Sequence, residues 1–205
     1  PAPRPPPSPR GLGEVHQRQW LHMTRPVVPD EAALAPRAGV TVRPVERHEN
    51  GMPVAADLQV VHQMLETSFQ DHFNSYRESF SEFVQRLRED PGHSWDHWWL
   101  AYVDSDDGHR VPAGTVVCSS IAAGGGGAPR TPAASTAVTR AARGRGVAKS
   151  LLATVIADAA RDGRDRVALE VDADSPTKAD QLYRSLGWET DYVTESWFKD
   201  LDLDG

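Results

Sequence analysis

A chain of 205 residues with a formal charge of -7 has room for one domain, or one and a fraction, at roughly 100–200 residues per domain. Apolar residues make up 39% of it and charged residues 25%, enough for the core of a globular protein, and no apolar run reaches the roughly 18 residues of a membrane span. The acidic balance argues against nucleic acid as the main partner, and Cys118, the single cysteine, excludes an intramolecular disulfide framework. The sequence opens on Pro1 with no charged-then-apolar leader, so a reducing, cytoplasmic setting is expected.

Ten of the 16 prolines fall in the first 44 residues. Residues 1–10 have no apolar face and read as a disordered, proline-rich lead. Residues 14–25 alternate loosely through Val15, Trp20, Leu21 and Met23 and predict a strand. Pro29 and Pro36 make 29–38 a linker, and the compact part begins at Gly39. Val40, Val42 and Val45 predict a short strand, with Pro44 marking an edge or an end. Leu58, Val61, Met64, Leu65 and Phe69 share one helical face from about Asp57. A second helix over 79–88 carries Phe80, Phe83, Val84 and Leu87. Trp98–Val103 and Val111–Ser120 read as a hairpin around an Asp- and Gly-rich turn. Gly124–Gly127 and Pro129–Pro132 read as loop, and 136–139 as a weak strand. Gly146–Asp162 carries the clearest apolar stripe, Val147, Ala148, Leu151, Leu152, Val155, Ile156 and Ala159, with Gly163 as its stop. A buried strand over 167–171, a helix from Pro176 to Leu186 and a bent strand over 188–198 complete the pattern. Strands alternating with helices predict an α/β class with a mixed sheet.

The informative segment runs Thr139-Arg140-Ala141-Ala142-Arg143-Gly144-Arg145-Gly146-Val147-Ala148, between a strand and the clearest helix. Glycines let the backbone turn tightly. The first amides of a helix lack intrahelical acceptors and lie at the positive end of its dipole. Three arginines within this turn of an acidic chain therefore point to a phosphate or pyrophosphate, with a solvated basic helix cap as the plain alternative. A Walker A loop is excluded, because Arg143 and Ala148 occupy the glycine positions before Lys149-Ser150. A Rossmann fingerprint is excluded too, because Lys149 stands where its third glycine belongs.

The spacing Arg143-x-x-Gly146-x-Ala148 resembles the Gln/Arg-x-x-Gly-x-Gly/Ala signature of the GNAT acyltransferase superfamily. Leu182-Tyr183-Arg184-Ser185-Leu186-Gly187-Trp188 resembles that family's Leu-Tyr-x-x-x-Gly-Phe element, and Val171–Pro176 the turn before it. Order and spacing match over Gly39–Asp200. The resemblance implies a central, mostly antiparallel sheet, splayed at the cofactor site, with about four flanking helices over 39–202. Phe69–Phe73 and Trp95–Tyr102 also look like the tandem GNAT proteins related to mycothiol synthase. On that resemblance 11–28, with Trp20–Pro26, is similar to the last strand of a preceding GNAT domain.

The same resemblance implies transfer of an acetyl group from acetyl-CoA to the primary amine of a small molecule, directly and without a metal. Ala137, Val138 and Thr139 are then expected along the pantetheine arm. Arg143, Gly144, Arg145, Gly146, Val147 and Ala148 are expected on the pyrophosphate. Ser175 stands where relatives often have asparagine near the arm. Tyr183 matches the tyrosine that protonates the leaving thiolate, its plain alternative being a half-buried helix residue. Asp71 and His72 follow the first helix, where the family builds its acceptor pocket. Glu170 and Asp172 alternate with Leu169 and Val171 and face either a cleft or water. His97 and its tryptophan neighbours are either pocket or core. Ala133–Ala137 is small and polar where relatives have a firmly apolar strand. That departure keeps open a non-catalytic GNAT-like domain that binds acyl-CoA or supports a partner. A preceding GNAT domain or a homodimer is the macromolecular association to expect; nucleic acid and membrane are not.

Overall fold

A computed structural model describes residues 15–69, 78–89, 93–121, 131–175 and 177–198. Among the described residues it shows the mixed α/β class expected, with seven strands, mostly antiparallel, and four α-helices. By contacts the chain divides into two compact units, a central one, Val27–Val167, and a terminal one, Pro1–Pro26 with Ala168–Gly205.

In the terminal unit, strand β1 (Val15–Pro26) pairs antiparallel with β7 (Glu189–Phe198), Leu21 opposite Val193. The predicted bend has a counterpart in two register shifts, at His16/Arg18 and His22/Met23, since an extra residue in one strand bends the pair. On the other side of β1 lies β6 (Arg166–Asp172), most of which belongs to this unit. Helix α4 (Ala179–Ser185) is shorter than the predicted 176–186. Lys178 has φ 50°, a left-handed conformation that cannot continue a helix, so the helix starts only after it. Gly187, at φ 86°, ends it as expected.

In the central unit, β2 (Val40–Pro44), β3 (Trp98–Asp104), β4 (Arg110–Ile121) and β5 (Thr131–Val138) follow one another as an antiparallel run. Pro44 closes β2, which flanks β3 alone, so its missing N–H costs no ladder bond. Helix α1 (Ala55–Phe69) follows the predicted stripe. Helix α2 (Phe80–Glu89) starts on Ser79, whose Oγ accepts the Glu82 amide at 3.3 Å while the Glu82 carboxylate accepts the Ser79 amide at 2.8 Å. Leu58 and Val61 of α1, Phe83 of α2, and Trp98 and Leu100 of β3 form one apolar core with Val45. Trp98 is buried in this core with Trp95 packed against it, whereas Trp99, also buried, lines a recess with His97.

The segment expected to be a weak strand pairs along its whole length. Strand β5 begins at Thr131, inside the stretch read as loop, and its partners on β4 run from Ile121 to Gly114. The close approach of the two strands constrains β4. A Cβ on Gly114 of β4 would lie 2.6 Å from the Ala137 carbonyl and 3.0 Å from Val147. Low β propensity is thus offset by close packing, with Ala134 and Ala137 buried. The clearest predicted helix is α3 (Val147–Arg161), which buries Val147, Leu151, Leu152, Val155 and Ile156.

Candidate functional site

After β5 the chain is pinned by Thr139, whose amide and hydroxyl both donate to the Ala113 carbonyl, at 3.0 and 3.2 Å. A 3₁₀ turn, Arg140–Ala142, follows. Gly144 and Gly146 then take φ of 80° and 81°, a region costly for residues with a Cβ. The first intrahelical bond of α3 runs from Ser150 N–H to Gly146 O, 3.0 Å. The amides of Val147, Ala148 and Lys149 precede it, and no side chain caps the helix. Their donors therefore lack an intrahelical acceptor. The expected turn residues are thus together, with Ala137 and Val138 immediately before them on β5.

The cations around the turn differ in their partners. Arg145 donates to the Asp104 carbonyl at 2.7 Å. Arg143 is exposed; its amide donates to the Arg140 carbonyl at 3.3 Å, and its guanidinium has no partner among the described residues. A further arginine, unmarked by any local motif, stands at the same place. Arg37 N–H donates to the fully buried Ser150 hydroxyl at 3.0 Å, and its Cδ lies 2.9 Å from where a Cβ on Gly146 would be. The segment read as a plain linker is therefore attached to α3, and part of it, Pro29–Ala33, is a 3₁₀ turn.

In the terminal unit, Tyr183 of α4 is buried, with its ring 6.1 Å from Trp188. Ser175 Oγ lies 2.9 Å from Thr177 Oγ1. The two carboxylates of β6 differ sharply. Asp172 is 3% exposed, is paired with Arg18, and accepts the Asp174 amide at 2.9 Å. The Glu170 side chain is half exposed and 3.3 Å from His22, whose ring stacks on Tyr192.

Asp71 and His72 lie outside the described residues. His97 lies in the central unit, away from the turn in sequence, and bonds through Nδ1 to Asp158 Oδ2 at 2.6 Å. The hydrogen bond to Asp158 raises its pKa, against burial, with further help from the charges of Asp158, Asp162 and Asp96. His97, Asp158 and Asp162 bring ligand atoms within 4.8 Å of one another. Both carboxylates are also approached by arginines, Arg161 at 3.6 Å and Arg164 at 3.9 Å. A second group that no motif signalled is Arg43, which donates to both Asp57 oxygens at 2.5 and 2.7 Å and to Tyr102 Oη at 2.8 Å.

The model of the acetyltransferase (GNAT) family matches residues 60–188. That is more than half of the chain, which therefore belongs to this family. A GCN5-related N-acetyltransferase from Sphaerobacter thermophilus is 25% identical, with a TM-score of 0.59 over 90% of this chain and 52% of its own. The chain thus spans about half of that protein's length. Two further structures share the fold. One is a GNAT-family chain from Novosphingobium aromaticivorans, 18% identical, TM-score 0.53, over 97% of this chain and 72% of its own. The other is a GCN5-related N-acetyltransferase from Anabaena variabilis, 12% identical, TM-score 0.51, over 92% of this chain and 41% of its own. No curated protein matches the sequence. Among the described residues no helix is long and apolar enough to cross a membrane.

Proposed function

We propose, from membership of the GNAT family, that the chain is an acyl-CoA-dependent N-acetyltransferase that moves an acetyl group from acetyl-CoA to the primary amine of a small molecule by direct transfer. The observation that carries this is the start of α3: uncapped amides at Val147–Lys149 behind two left-handed glycines, with the Arg143 guanidinium beside them and without a partner among the described residues. Such a terminus suits a pyrophosphate, which gains hydrogen bonds from the amides and charge complementarity from the dipole. In a chain whose formal charge is -7, an unpaired guanidinium at that point favours a ligand over a simple helix cap.

The bound co-substrate supplies the activated thioester. The work assigned to the chain is to hold it, orient it and manage protons. Arg143–Ala148 would hold the diphosphate. The backbone of Ala137, Val138 and Thr139 would run along the pantetheine arm, and donors there would stabilise charge growing on the thioester carbonyl. On the family resemblance, Tyr183 donates the proton that the departing thiolate takes up and Ser175 bonds to the arm. Asp71 and His72 are assigned to the acceptor side. Glu170 and Asp172 of β6 are assigned there with them, Asp172 in its pair with Arg18. The same resemblance supports a tandem relationship to the mycothiol synthase group and a cytoplasmic setting, which the longer reading frame would test.

Calorimetry with acetyl-CoA and CoA, followed by thiol release across a panel of amines, tests the function. Binding with turnover on at least one amine is the expected result. A folded sample that binds neither nucleotide overturns the reading. Tight CoA binding with no turnover on any amine replaces it with the non-catalytic binding module.

A further inference from the structure

We infer that Arg37, in the segment before the first strand of the central unit, is a phosphate-binding residue of the same site, contributing a guanidinium to coenzyme A that the glycine-rich turn does not supply. This rests on the acyl-CoA reading and adds to it a residue from outside the turn, more than a hundred positions away in sequence.

Two observations fix the geometry. The backbone of Arg37 is held by a built contact, its N–H on the Ser150 hydroxyl at 3.0 Å, and that hydroxyl is fully buried in the first turn of α3. Its side chain crosses the face of Gly146, with Cδ 2.9 Å from a Cβ position there. Only a glycine leaves room for this crossing, so the second glycine of the turn serves both its own left-handed backbone and the path of Arg37.

The charge pattern points to an anion. Nine arginines of the described residues have a carboxylate within ion-pair distance: Arg18, Arg43, Arg47, Arg86, Arg110, Arg161, Arg164, Arg166 and Arg184. Arg37, Arg88 and Arg143 have no side-chain partner among the described residues, and two of these three, Arg37 and Arg143, sit at the start of α3, whose first amides no side chain caps. Two guanidiniums without a partner among the described residues thus share the start of α3, a terminus suited to an anion. Guanidinium matches a phosphate ester in charge and in its fork of donors. The ligand group is a phosphate of coenzyme A, either the diphosphate or the 3′-phosphate.

The test is calorimetry of wild type, Arg37→Ala, Arg37→Lys and Arg37→Glu with CoA and with 3′-dephospho-CoA. Arg37→Ala keeps the N–H bond to Ser150, so its fold is expected to persist, checked by an unchanged melting temperature. CoA affinity is expected to fall about tenfold in Arg37→Ala, the size of one charge-assisted hydrogen bond. It should fall further in Arg37→Glu and less in Arg37→Lys. The gap between wild type and Arg37→Ala should narrow in high salt, as a loss of packing alone would not. An equal loss with dephospho-CoA places Arg37 on the diphosphate; a loss confined to CoA places it on the 3′-phosphate. Wild-type binding of CoA that Arg37→Ala and Arg37→Glu both retain in full overturns this inference and leaves the acyl-CoA reading standing. Wild type that binds neither compound overturns both.

Discussion

The carbonyl of Ala137 lies 2.6 Å from where a Cβ on Gly114 would stand, closer than any real side chain tolerates. Strand β5 therefore depends on the absence of a methyl group on β4. Gly114→Ala must push β5 away or move Val147 and Leu151, which lie 3.0 and 3.3 Å from the same point. Overpacking of this kind costs about 1–3 kcal/mol. Thermal unfolding should show a lower melting temperature, and CoA binding should weaken as well, because β5 leads directly into the turn. An unchanged melting temperature would show that the contact relaxes without cost.

The two glycines of the turn make a matched comparison. Both have left-handed φ, and an alanine at either pays about 1–2 kcal/mol for it. Among the described residues nothing lies within 4 Å of a Cβ on Gly144, whereas on Gly146 it meets Arg37. Gly144→Ala and Gly146→Ala are thus expected to lose similar stability, while Gly146→Ala loses more CoA affinity. Denaturant titration and calorimetry on the same samples separate the two effects. Equal losses of affinity would mean that the path of Arg37 over Gly146 does not matter.

These relationships show what was legible in the sequence. Helix α3 was, because its apolar stripe and bracketing glycines are local signals. So were the family and the turn, whose residues are contiguous. Strand β5 is less legible, because Ala133–Ala137 reads as poorly strand-forming in isolation, while its pairing and its close approach to Gly114 depend on another strand. Arg37 carried no signal at all: its role depends on Ser150, distant in sequence, and Pro36 beside it suggests only a break. The helix expected from Pro176 starts late because Lys178 adopts a left-handed conformation that single-residue preferences do not foresee.

Asp57 holds the start of α1 to β2. Its carboxylate accepts two bonds from Arg43 and one from the Glu46 amide at 2.8 Å. The Arg43 hydrogen bonds lower its pKa below the ordinary 3.8, against burial, with smaller help from the Glu46 amide and the Arg43 charge. A carboxyl with a depressed folded pKa contributes stability that is present above the unfolded value and lost as pH falls through the folded one. Asp57→Asn should cost about 1–3 kcal/mol at neutral pH, with the difference from wild type shrinking below about pH 4. Urea midpoints across that range would show it, and a difference independent of pH would remove Asp57 from the acid transition.

Tyr183 is the residue on which the proposed proton transfer turns. Phenylalanine keeps the ring that packs beside Trp188 and removes only the hydroxyl. Tyr183→Phe should therefore lower kcat by about a hundredfold, in the range of a lost general acid, with little change in CoA affinity or melting temperature. Steady-state thiol release on the best amine gives the first quantity and calorimetry the second. An unchanged kcat would assign Tyr183 to packing alone.

His97 supplies the opposite pH dependence. Its folded pKa lies above the ordinary 6.5, chiefly because Asp158 accepts its Nδ1 hydrogen bond at 2.6 Å. A raised histidine contributes stability that is complete below the unfolded value and disappears as pH rises through the folded one. The wild type should lose stability on going from about pH 6 to about pH 9, the range in which a histidine with a raised pKa releases its proton. The buried Cys118 thiol adds to this loss at the alkaline end, because burial raises its folded pKa and the unfolded thiol ionises first. To the extent that burial causes the shift, it does so equally in wild type and in Asp158→Asn. Asp158→Asn removes the main cause of the shift, so its urea midpoint should vary less between these pH values and meet that of the wild type more closely at the alkaline end. If instead both proteins show the same slope, His97 is not the titrating group, and the remaining histidines must be replaced one at a time to find it.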